Sequence, residues 1–62
     1  MYELQVFYEG KLHHTERRTG AADVLARIPV LLQEHEGCEK VVVMFDRMRL
    51  FAVDCKGNRL PD

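Results

Sequence analysis

The chain has 62 residues, 47% of them hydrophobic and 31% charged, with a formal net charge of −1. That balance argues against disorder and gives no long-range pull on nucleic acid or anionic lipid. The length predicts a single domain that buries only about 60% of its unfolded surface and is marginally stable alone.

Tyr2 to Phe7 alternates, with Tyr2, Leu4 and Val6 on one side and Glu3 and Gln5 on the other, which predicts a half-buried strand. Tyr8–Glu9–Gly10–Lys11 then predicts a three-residue loop with a bulge, Gly10 supplying the left-handed residue. This register sets Val6 opposite Leu12, Leu4 opposite His14 and Gln5 opposite His13; a two-residue loop would set Val6 opposite His13. The second strand is polar and predicts a charged edge, with His14 turned toward the core and His13 outward.

Thr19 is the expected helix cap, and Gly37 the expected stop. Between them Ala21, Val24, Leu25, Ile28, Leu31, Leu32 and His35 keep the spacing of an amphipathic helix. Pro29 lies beside that stripe rather than on it, which predicts one helix bent at Pro29.

Lys40 to Asp54 predicts a second hairpin about a tight Asp46–Arg47 turn. Phe45–Met48, Val43–Leu50 and Val41–Ala52 then pair on one face, and Met44–Arg49, Val42–Phe51 and Lys40–Val53 on the other. Both faces are apolar, where a sheet with one wet side would be polar on it.

The expected fold is α+β, ββαββ: two hairpins connected by one helix packed on a four-stranded sheet. The element order resembles a β-grasp arrangement and the immunoglobulin-binding domains of the protein G type, which implies a sheet with its first and last strands central and parallel. In size and element order the chain also resembles small phage-encoded inhibitors of the anti-CRISPR type. These resemblances imply a compact binding module and carry no functional residue across; a swapped or sheet-stacked dimer is equally compatible with the pattern.

Chemical signals are few. Cys38 and Cys55 fall opposite one another if the hairpin ladder is extended outward, so they are reduced thiols at its base or a disulfide. With His35 they could approach a metal, but the usual zinc-ligand spacings are missing, and no metal or cofactor is expected. Lys11, His13, Arg17 and Arg18 make a basic edge that is either solvated or, in the alternative reading, a nucleic-acid contact. The chain has no serine and no glycine-rich phosphate loop, and no catalytic function is expected. The remaining feature is an open apolar sheet face built from Phe7, Val42, Met44, Arg49, Phe51 and Val53, expected to bind another protein or a second copy of the chain. No apolar run is long enough for a membrane span and Met1–Tyr2–Glu3–Leu4 does not resemble a secretory signal, so a cytoplasmic site is the expectation.

Overall fold

The alternating first segment forms strand β1 (Tyr2–Tyr8), and Glu9–Gly10 returns it into β2 (Lys11–Arg18) in a computed structural model that describes residues 1–61. Both turn residues are left-handed, Glu9 at φ 49° and Gly10 at φ 79°. Two consecutive positive φ values match the twist of a hairpin, so the loop has two residues rather than the expected three. Tyr8 pairs with Lys11 and Phe7 with Leu12, but Val6 pairs with His14 because the register shifts there. The bulge therefore exists, displaced from the turn to His13. Leu4 consequently faces Glu16 instead of His14, and Gln5 faces Thr15 instead of His13.

Helix α1 spans Ala21–Glu34 with Pro29 inside it. Gly20, not Thr19, takes the N-cap position, and no side chain caps the helix. The first turn closes through Val24 N–H donating to Gly20 C=O at 3.2 Å, and the last through His35 N–H donating to Leu31 C=O at 2.8 Å. Gly37, at φ 84°, lies in the turn beyond. Val24, Ile28 and Leu31 are the buried positions, one row of the predicted stripe, while Leu25 is 63% exposed.

Strands β3 (Lys40–Phe45) and β4 (Met48–Asp54) complete one antiparallel sheet of order β2-β1-β3-β4. The implied β-grasp order, with first and last strands central and parallel, is thus replaced by β1 and β3 at the centre, antiparallel. Val41, Val42 and Val43 are all buried, so β3 is apolar on both faces and belongs inside the sheet, whereas Met48, Arg49 and Leu50 of β4 are exposed.

The turn at Asp46, with φ 55°, sets Phe45 opposite Met48 and Met44 opposite Arg49 as expected. Beyond that, a bulge inserts Leu50 and shifts the remainder: Val43 faces Phe51, Val42 faces Ala52, Val41 faces Val53, and Lys40 faces Asp54. The expected Val43–Leu50, Val41–Ala52, Val42–Phe51 and Lys40–Val53 pairs do not form. After β4 the Asp54 carboxylate accepts from the N–H groups of Lys56 and Asn58, each at 2.9 Å, folding the tail back along the outer edge. Arg59 then bridges to Val53, and Leu60 N–H donates to Ala52 C=O at 2.9 Å.

The core is Leu4 and Val6 of β1, Val41 and Val43 of β3, and Val53 of β4, under Val24, Ile28 and Leu31, with Cys38 at one end. Val42 and Ala52 are buried at 5% and 0% exposure yet stand outside this cluster, on the opposite face. The helix crosses β1 and β2, leaving the helix-side surface of β4 less covered. No helix among the described residues is long and apolar enough to cross a membrane.

Candidate functional site

The bulge at Leu50 decides which apolar residues are available. It turns Phe51 and Val53 onto the helix side, where Val53 joins the core and Phe51 packs against it. Both were expected on the open face. Their place there is taken by Ala52, which lies opposite buried Val42. Of the other expected residues, Phe7 and Met44 are half-buried on the open face and Arg49 is exposed. That face is also more polar than expected. Lys40 Nζ sits 5.2 Å from the Phe7 ring centroid, Gln5 donates to Glu3 at 2.6 Å, and Arg17 lies 3.6 Å from Glu3. The continuous apolar patch does not form.

An apolar surface does exist, on the other side of the sheet. Leu25 is 63% exposed, Met48 68%, and Phe45 and Leu50 39% each. Leu25 and Leu50 line a groove of about 160 Å³ with Val24 of α1, Phe51 of β4, Tyr2 and Val43. Phe45 and its ladder partner Met48 lie beyond it, at the β3–β4 turn. The Tyr2 and Phe45 rings meet at 4.8 Å, and the Arg59 guanidinium lies 4.6 Å over the Phe51 ring. The tail thus contributes a cationic rim to an aromatic wall. Sequence reasoning put Leu25 on the apolar stripe of the helix and Leu50 opposite Val43 on one apolar sheet face. Exposure at both follows from where α1 crosses the sheet and from the bulge.

Both arginines of the basic edge pair with carboxylates. Arg18 reaches Glu16 at 2.9 Å, and Arg17 pairs with Glu3. Glu16 also accepts from Arg27 of α1 at 2.6 Å and lies 2.9 Å from His14 Nε2, while Arg27 bridges on to Glu34 at 3.1 Å. The Arg27 hydrogen bonds, working against partial burial, bring the Glu16 carboxyl down to about 2, with His14 and Arg18 adding to the effect. Lys11 is exposed, and His13 packs edge-on against Tyr8 at 4.7 Å. Of the four residues expected to act as one basic surface, Arg17, Arg18 and His13 each meet a different neighbour and Lys11 faces solvent.

His13 does not point outward as expected. The β2 bulge brings it to the helix side beside His14, a placement that successive residues of a regular strand cannot share. His35, at the helix end, lies 5.0 Å from His14 and 6.3 Å from His13 between ring centroids. Tyr8 stands among them, its phenol raised by burial and by the nearby Cys38 and Cys55 thiols. All three histidines and both cysteines of the chain therefore gather at one end. Among the described residues no group of three or more His, Cys, Asp or Glu side chains is arranged to hold a metal ion.

The chain thus offers an apolar groove with an arginine at its rim and, at the other end of α1, a packed cluster of imidazoles and thiols. Comparisons with protein-family models, curated proteins and solved structures gave no significant match.

Proposed function

We propose that this is a small, non-enzymatic protein-binding module of the regulatory or inhibitory kind, and that its contact surface is the groove between α1 and β4. The observation that carries the reading is that exposed Leu25 and Leu50 line one groove, with exposed Phe45 against Tyr2 of its lining and Met48 paired to Phe45 beyond. Exposed apolar residues grouped in this way mark interaction surfaces, and aromatic, methionine and arginine side chains are the types enriched at interface centres. Arg59 over Phe51 supplies a cation already held in place at the rim.

A second copy of the chain is the first partner to test. Light scattering over a dilution series is expected to show a dimer of the 7.2 kDa chain at high concentration. Leu50→Glu and Leu25→Glu, both in the groove lining, should each leave a folded monomer by circular dichroism. A wild-type chain that is monomeric throughout overturns self-association. The partner is then a different protein, and its binding must be lost in the same two variants for the groove to stand as the site. Met44→Glu, on the opposite face, serves as the control and should change neither.

A further inference from the structure

Cys38 lies two residues before β3, after the turn that ends α1, and Cys55 immediately follows β4. The last ladder pair between these strands is Lys40 with Asp54. Extended outward, the ladder sets Glu39 rather than Cys38 opposite Cys55, against the sequence expectation, and both cysteines lie at the open end of the hairpin. Cys38 is 4% exposed within the core cluster, and half-buried Cys55 packs against the same cluster. The Cys38 backbone is held by its N–H donating to His35 C=O at 3.0 Å. Two free thiols are thus neighbours, one sealed from solvent and one reachable. We propose that Cys38 and Cys55 form a reversible dithiol–disulfide couple, closed by exchange with a low-molecular-weight disulfide such as glutathione disulfide, that clips the two ends of the β3–β4 hairpin together.

The exposure difference sets the order of events. Cys55, as thiolate, attacks one sulfur of glutathione disulfide and expels one glutathione thiolate, forming a mixed disulfide. Cys38 then loses its proton and attacks the Cys55 sulfur, which expels the second glutathione as thiolate to take up that proton. Two protein thiols are oxidised to one disulfide and one glutathione disulfide is reduced to two thiols. Burial, together with the adjacent Cys55, raises the Cys38 thiol, which suits the resolving sulfur rather than the one that meets the oxidant. The clip lies beside the imidazole cluster, away from Leu25 and Leu50, so closing it leaves the proposed groove open.

The test is incubation of the folded chain with glutathione disulfide, acid quenching, alkylation and intact mass. The wild type should lose two hydrogens, take up no alkylating reagent and keep the mass of one chain. Cys38→Ser should hold one glutathione on Cys55, and Cys55→Ser should react many-fold more slowly than either. A wild type that accumulates glutathione without closing overturns the proposal, as does one that bridges between chains or stays fully alkylatable. Equal rates for the two serine variants overturn the assigned order. None of these readouts depends on the groove, so this proposal and the proposed function fail separately.

Discussion

Glu16 shows how one residue can cancel a feature that its neighbours suggest. Read along the chain, Lys11, His13, Arg17 and Arg18 look like a cationic strip with an acid lost among them. In the fold that acid faces the helix, is only 11% exposed at its side chain, and gathers Arg18, Arg27 and His14. Arg27 lies eleven residues away, so no local pattern announces the contact. The Arg27 hydrogen bonds, then His14 and Arg18, hold the Glu16 carboxyl at about 2 in the folded chain, against an ordinary 4.5. The folded value is the lower one, so the contribution to stability is fully present above pH 4.5 and is lost as pH falls toward 2. Allowing for the solvent that reaches the arginines, it is worth about 2 kcal/mol. Glu16→Gln should therefore lower stability by roughly that amount at pH 7 in urea unfolding. The two proteins should converge as the pH is taken from 5 to 2. A constant gap across that range would mean that charge pairing is not what Glu16 contributes.

At the scale of elements, the sequence made the hairpins, the helix and the turn positions legible. Gly10 and Asp46 sit where left-handed residues were needed, and strict alternation located β1. Strand order was not legible, because nothing local says that β3 rather than β4 lies beside β1. The bulges were not placed either. In β4 the residues Leu50, Phe51, Ala52 and Val53 are all apolar, so an inserted residue leaves no break in the pattern while reversing the face of everything beyond it. That single insertion moved two of the six residues expected at the interface onto the helix side. It also makes a prediction available. Without Leu50, the observed pairs from Phe45–Met48 through Met44–Arg49 to Val43–Phe51 and Val42–Ala52 form an unbroken ladder. Deleting Leu50 should therefore retain the native circular dichroism spectrum and shift the melting midpoint by only a few degrees, a stability change within about 1 kcal/mol. Deleting Ala52 should unfold the chain, because Val53 would turn from the core to the opposite face. If both deletions behave alike, the extra residue is not at Leu50.

The whole molecule is small enough for one core position to decide whether it folds. Its net stability is the small remainder of large opposing terms, and a chain of this length has few buried side chains to draw on. Leu25 and Leu31 lie on the same helix and both fit its apolar pattern, yet Leu31 is fully buried and Leu25 is 63% exposed. Leu31→Ala leaves a cavity in the shared core and should cost about 2–5 kcal/mol, enough to leave much of the chain unfolded at room temperature. Leu25→Ala removes atoms that already face water and should cost less than about 0.5 kcal/mol in dilute solution. Association alters that comparison, since whatever binds only the folded form raises its apparent stability with concentration. If the groove joins two copies, the wild-type melting midpoint should climb with protein concentration, and Leu25→Ala should flatten the climb while leaving the dilute value unchanged. A midpoint independent of concentration, together with a neutral Leu25→Ala, would assign the groove to a different protein. A large loss from Leu25→Ala in dilute solution would mean that Leu25 is part of the core and that α1 lies closer to β4 than the open groove requires.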